Sequence, residues 1–177
     1  RNIIEEGKGD KYDFGCVMLY VDFPEMKKIQ SQIKKEDIFY EEGDRSFGLE
    51  DSPHVTLLYG LHQGVSTDMV KDVIKDCDYH DMDAYKISLF KSEEYDVLKF
   101  DIKPYGKSPN FLKDINNKLK KLEHTQTFPY HPHMTIAYLK SGKGEEYVKK
   151  FKDINYKLSP SNVKYSKSDG TLDNIKI

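Results

Sequence analysis

The amino-acid sequence predicts an α+β fold in which a β-α-β-α-β unit is written twice, and three observations carry that prediction. First, Pro53-His54-Val55-Thr56-Leu57-Leu58-Tyr59 and Pro132-His133-Met134-Thr135-Ile136-Ala137-Tyr138 share the pattern P-H-x-T-h-x-Y, with h apolar. Second, the two histidines are 79 positions apart (133 − 54), and the runs around them repeat in the same order at a similar offset. Third, 177 residues suit one domain, or two small lobes sharing a core, and suffice to bury a sizeable interior.

In the first unit Phe14–Val21 is an apolar, β-branched and aromatic run that reads as a strand. Pro24–Lys35 follows with Met26, Ile29 and Ile33 at helical spacing and a proline near its start. The first P-H-x-T strand comes next, then a glycine-bearing turn, a helix over Thr67–Asp76 and a strand over Tyr85–Phe90. The second unit opens on Asp96–Ile102, whose alternation of apolar and polar residues predicts a half-buried strand. Ser108–Leu122 predicts a helix, with Ser108 as cap, Pro109 in the first turn and Phe111, Leu112, Ile115, Leu119 and Leu122 on one face. The second P-H-x-T strand, a helix over Gly144–Phe151 and a strand over Val163–Ser166 complete the repeat. Such a duplication suggests two lobes, approximately 14–90 and 95–177, related by a pseudo-twofold axis within one domain spanning 1–177.

Composition narrows the function. Charged residues make up 33% of the chain and the net charge is −2. That argues against a long nucleic acid as partner, since binding many phosphates requires a basic surface, but leaves room for a small anionic ligand. No stretch approaches the ~20 apolar residues of a membrane span. Cys16 and Cys77 stand far apart in no metal or redox spacing, so buried thiols in a reducing compartment, the cytoplasm, are expected. A monomer is expected.

The repeated strands carry the chemistry. Side chains alternate along a strand, so His54 and Thr56 share one face while Val55, Leu57 and Tyr59 take the other. His133 and Thr135 likewise oppose Met134, Ile136 and Tyr138, which places both tyrosines on the core face. If the lobes face each other, one groove receives two imidazoles and two hydroxyls. An imidazole titrates near 6.5, so at neutral pH one can take a proton while another gives one. Cleaving a phosphodiester beside a ribose 2′-hydroxyl needs that couple, and threonine hydroxyls can donate to the non-bridging oxygens where charge builds. No metal or other cofactor is required. A single H-x-T is more often structural; two copies at matching places in a repeat are not so easily dismissed.

These paired motifs, "HVTL" and "HMTI", resemble the two signatures of the 2H phosphoesterase superfamily. The resemblance implies a bilobal fold with two antiparallel sheets facing a central groove and helices outside. It also implies that His54 and His133 are the acid/base pair and Thr56 and Thr135 the phosphate-holding hydroxyls. Within the superfamily, the stretch Glu41–His62 (EEGDRSFGLEDSPHVTLLYGLH) is similar to the phage anti-CBASS phosphodiesterases, which degrade the cyclic di- and trinucleotide signals of infected bacteria. That likeness implies metal-independent opening of 3′–5′ linkages through a 2′,3′-cyclic phosphate. Phosphoesterases of RNA ends or 2′–5′ linkages, and a non-cleaving cyclic-nucleotide sponge, are the alternatives.

Three further residues are candidates for holding substrate. Arg45, in the acidic loop before the first motif, can contact a phosphate or pair with Glu41, Glu42 or Asp44. Tyr12, before the first strand, and Tyr165, in a late strand, can each stack on a base. His131 makes an H-x-H with His133, but no carboxylate or cysteine set at ligand spacing accompanies it, so a metal site is not expected.

Overall fold

The computed structural model describes residues 12–44 and 46–175. Its elements are β1 (Gly15–Asp22), α1 (Met26–Gln30), β2 (His54–Leu61), α2 (Thr67–Ile74), β3 (Met82–Lys91), β4 (Tyr95–Pro104), α3 (Phe111–Leu119), β5 (His133–Lys140), α4 (Gly144–Lys150), β6 (Tyr156–Ser166) and β7 (Leu172–Ile175). The expected alternation of strands and helices is present, with β7 added at the end.

All seven strands join in one antiparallel sheet of order β2-β1-β6-β3-β4-β5, with β7 paired to β6. Two features depart from the sequence-based expectation. The two sheets expected to be separate are continuous, because the first residues of β6, Tyr156 to Leu158, pair with Ala84 to Met82 of β3. The third strand of each unit is also exchanged: β3 pairs with β4, and β6 pairs with β1. The hydrogen-bonded groups therefore do not coincide with the halves 14–90 and 95–177.

β2 and β5 end the strand order on opposite sides, yet they are in contact, so the sheet curls until its outer strands meet. Each outer edge is covered by a loop from the other half of the chain, which removes the exposed ladder that an edge strand otherwise offers. Ile38 and Leu49 bridge to Leu139 and Ala137 of β5, while His124 bridges to Leu61 of β2. Gly60 makes the second cover possible. Its φ is +105°, and a Cβ there would lie 2.8 Å from Thr125 Oγ1.

The helices follow the same crossed pattern. α3 packs against β2 and β4, and α1 against β5. α3 buries Phe111, Leu112, Ile115 and Leu119, as its spacing predicts, but its N-cap is Asn110, whose side chain accepts from the Lys113 N–H. α1 is shorter than the expected 24–35. β4 is not the half-buried strand its alternation suggests, because Asp96 and Lys99 are buried at 1% and 5% exposure. Both are satisfied: Asp96 Oδ2 accepts from the backbone N–H groups of Gly142 and Gly144, at 3.1 and 3.0 Å. Lys99 Nζ donates to Asp101 Oδ1 and Ser88 Oγ, each at 2.6 Å. Burying a charge is tolerable only when it is paired in this way. No helix among the described residues is long and apolar enough to cross a membrane.

Candidate active site

Both P-H-x-T strands contain a β-bulge at the same place. In β2 the register with β1 runs Met18 to Thr56 and then Val17 to Leu58, leaving Leu57 unpaired. In β5 the register with β4 runs Lys99 to Thr135 and then Leu98 to Ala137, leaving Ile136 unpaired. Leu57 and Ile136 are separated by the same 79 positions as the histidines. A bulge inserts one residue and so reverses the alternation beyond it. Residues paired across an antiparallel ladder share a face. His54, Thr56 and Tyr59 therefore lie with Tyr20, Met18 and Cys16, while His133, Thr135 and Tyr138 lie with Asp101, Lys99 and Val97. Tyr59 and Tyr138 are thus on the His/Thr face and not on the opposite one, as simple alternation suggests. Tyr138 is packed there against Phe47 and Tyr95.

The two histidines are held alike. His54 Nδ1 lies 2.8 Å from the Ser52 carbonyl oxygen, and His133 Nδ1 lies 2.8 Å from the carbonyl oxygen of His131. A carbonyl can only accept, so each Nδ1 carries the hydrogen and each Nε2 is the basic atom of the neutral ring. Both rings are half-buried, as are Thr56 and Thr135. Neither threonine hydroxyl has a hydrogen-bond partner among the described residues.

The surroundings of the rings differ in charge. His54 Nδ1 is 3.9 Å from Glu50 Oε1, and its ring sits 5.4 Å from that of Tyr20, over which Lys164 Nζ lies at 4.5 Å. His133 meets Phe90 edge-on, centroids 4.9 Å apart at 87°, and Lys99 Nζ lies 4.2 Å from the Phe90 centroid. Burial, followed by the positive charges of Lys99 and His54, holds the His133 pKa below the ordinary 6.5, against the opposing pull of the His131 carbonyl and Asp101. The strands that carry the two rings, β2 and β5, are in contact.

Thr56 of the first motif and His133 of the second line a single cavity of about 570 Å³, with Tyr59, Phe90, Gln126, Phe128 and Tyr130 among its walls. A smaller cavity of about 290 Å³ lies across His131 and Phe90, with Lys99 and Asp101 in its lining. The larger volume is within the range that small-ligand sites occupy. Phe128 stands at 74% exposure, while Tyr130 is half-buried and donates through its hydroxyl to the Thr56 carbonyl at 2.8 Å.

The other sequence candidates fall elsewhere. Tyr165 is 1% exposed, its hydroxyl donates to the Val65 carbonyl at 2.7 Å, and burial pushes its pKa up to about 12. A ring so enclosed has no face for a base, so Tyr165 is a core residue. Tyr12 is half-buried, bonds through its backbone N–H to the Ser168 carbonyl at 2.7 Å, and lines neither cavity. Arg45 lies outside the described residues. The aromatic walls Phe90, Phe128 and Tyr130 were not singled out in the sequence. Phe128 and Tyr130 adjoin the second motif in Phe128-Pro129-Tyr130-His131-Pro132-His133, whereas Phe90 is far from either motif in the chain and no local signal marks it. Among the described residues, no group of three or more His, Cys, Asp or Glu side chains is placed to hold a metal ion.

No protein-family model and no curated protein matches the chain. Solved structures do. Kluyveromyces marxianus Usb1 with uridine monophosphate superposes with a TM-score of 0.59 at 8% identity, covering 93% of this chain and 98% of that one. A second structure of the same Usb1 gives 0.57 at 8% identity over 94% and 99%. E. coli LigT in apo form gives 0.47 at 13% identity over 93% and 95%. The chain thus has the α+β fold of Usb1 over nearly its whole length.

Proposed function

We propose that this chain is a metal-independent phosphodiesterase of the 2H type, in which His54 and His133 form the acid/base couple. The observation that carries the reading is the convergence of the two motifs. Strands at opposite ends of the sheet order are in contact, and Thr56 of one motif and His133 of the other line one cavity. Each strand carries an imidazole whose Nδ1 is committed to a carbonyl, while His54 and Thr135 line neither cavity.

The reaction follows from those groups. One Nε2 removes the proton of a ribose 2′-hydroxyl, whose oxygen attacks the adjacent phosphorus. The P–O5′ bond breaks, and the second imidazole, as imidazolium, protonates the departing 5′-oxygen. The products are a 2′,3′-cyclic phosphate and a free 5′-hydroxyl. Thr56 and Thr135 donate to the non-bridging oxygens as negative charge grows on them. His133, kept neutral by burial and by Lys99, suits the base.

The substrate class that fits is a compact cyclic di- or trinucleotide. The larger cavity is lined by His133 and shares Phe90 and His131 with the smaller one, an arrangement that suits a ligand with a base in each cavity. A net charge of −2 suits a ligand with few phosphates. The role implied by the resemblance to anti-CBASS enzymes is removal of the cyclic nucleotide signals that bacteria make on infection, in the host cytoplasm. A linear RNA end is the second reading, favoured by the likeness to a Usb1 structure holding uridine monophosphate. Incubation with 3′–5′ cyclic di- and trinucleotides and with short linear RNAs, followed by product analysis, separates them. Cleavage of the cyclic substrates to 2′,3′-cyclic phosphate ends supports the first reading. Trimming of linear RNA alone supports the second, and neither product refutes both.

A further inference from the structure

Two core positions on the helices are filled by side-chain amides where an aliphatic residue would pack as well. Asn116 of α3 is 2% exposed and Gln30, the last residue of α1, is 8% exposed. A buried amide is costly unless its hydrogen bonds are made. Both make them, and at corresponding atoms. Asn116 Nδ2 donates to the carbonyl oxygen of Leu57 at 2.6 Å. Gln30 Nε2 donates to the carbonyl oxygen of Ile136 at 3.0 Å, and also to that of Glu50 at 2.8 Å. Leu57 and Ile136 are the two bulged residues, each immediately after the threonine of its motif. The connections are crossed: the helix of the second unit grips the bulge of the first motif, and the helix of the first unit grips the bulge of the second. The Glu50 backbone N–H reinforces the grip on Ile136, and Tyr130 bonds the carbonyl of Thr56 beside Leu57.

A one-residue slip of a strand turns its side chains to the opposite face, and a bulge is the place where such a slip begins or is absorbed. A bond to the bulged carbonyl fixes which residue is extra. We infer that Asn116 and Gln30 are positioning residues for the acid/base couple, Asn116 acting on His54 and Thr56 through Leu57, and Gln30 acting on His133 and Thr135 through Ile136. This deepens the phosphodiesterase reading and, for its kinetic part, rests on it. Asn116 also lines the larger cavity, whereas Gln30 lines neither. Gln30 therefore separates positioning from direct contact with substrate.

The test uses Asn116→Leu and Gln30→Met, each close in shape to the amide it replaces, with two readouts. The first is the set of ring resonances of the six histidines in the full chain, assigned by single substitutions. Asn116→Leu is expected to shift the His54 ring signals and leave those of His133 in place, and Gln30→Met to do the reverse. The second readout is turnover: each variant is expected to lower kcat about 10- to 100-fold, since a displacement on the order of 1 Å has that effect. Gln30→Met, which lies away from both cavities, is expected to do so with little change in KM. A generic loss of packing would not produce a crossed pattern. Equal shifts in both rings, shifts in the wrong ring, or an unchanged kcat overturn the inference. If a variant does not fold, Asn116→Ser and Gln30→Ser, too short to reach the carbonyls, give the same two readouts. A wild-type protein without phosphodiesterase activity would refute the proposed reaction, while the crossed resonances would still decide the positioning claim.

Discussion

Removing the ring of Phe128 separates a substrate platform from a packing residue. The side chain is 74% exposed at the wall of the larger cavity. If a phenylalanine in full burial hides ~200 Å², the buried quarter is about 50 Å², worth at most about 1.3 kcal/mol at ~25 cal/mol per Å². For a chain of this size that corresponds to a fall in Tm of no more than about 5 °C. Stacking of a base on an aromatic ring is worth about 1–3 kcal/mol, so its loss weakens binding about 5- to 150-fold. Stacking away from the reacting phosphate is felt equally in ground and transition states, so the loss belongs in KM and not in kcat. Initial rates over a range of substrate concentrations, for wild type, Phe128→Ala and Phe128→Trp, with thermal melts alongside, measure all of this. The expected result is a raised KM for Phe128→Ala, near-normal kcat, and recovery in Phe128→Trp. An unchanged KM, or a Tm lowered by well over 5 °C, refutes the reasoning.

Three more expectations follow. The lowered pKa of His133 means that the unfolded chain binds a proton more readily than the folded one, so stability rises with pH up to about 6.5 and is lost as pH falls through the folded pKa. Urea melts across that range should show the slope, and His133→Gln should flatten it. Tyr165→Phe removes a buried hydroxyl bonded to Val65, so denaturant titration should show a loss of about 0.5–1.5 kcal/mol, with kcat and KM unchanged. Turnover should survive excess EDTA, because two imidazoles and two hydroxyls supply every proton transfer and the charge stabilisation; abolition by chelator, restored by a divalent cation, would contradict that scheme.

The sequence carried the element order well because each element obeys a local rule. The apolar run Phe14–Val21 and the spacing of Phe111, Leu112, Ile115 and Leu119 depend on neighbours in the chain, and both elements are where their patterns put them. What it did not carry is set by distant pairing. The exchange of β3 and β6 leaves no local trace, since either strand can pair with β1 or β4 on pattern alone. The bulges at Leu57 and Ile136 contain no glycine to announce them, so simple alternation puts Tyr59 and Tyr138 on the wrong face. Nothing local marks Gln30 and Asn116, because their partners Ile136 and Leu57 lie 106 and 59 positions away. Lys99 read as the solvent side of an alternating strand because the Ser88 and Asp101 bonds that satisfy it are tertiary. Tyr165 shows the converse failure: an aromatic residue near the end of the chain looked available, and the exchanged strand that holds it buried it.

A ribose-containing phosphodiester offered to wild type, His54→Ala and His133→Ala decides whether the two imidazoles work as a couple. Each substitution is expected to lower kcat about 10²- to 10⁴-fold, with the fold and much of the ligand affinity kept, since each ring is half-buried and contributes a proton transfer rather than a support. Turnover at the wild-type rate from either variant would contradict the acid/base assignment and with it the reading of the repeated strands as one site.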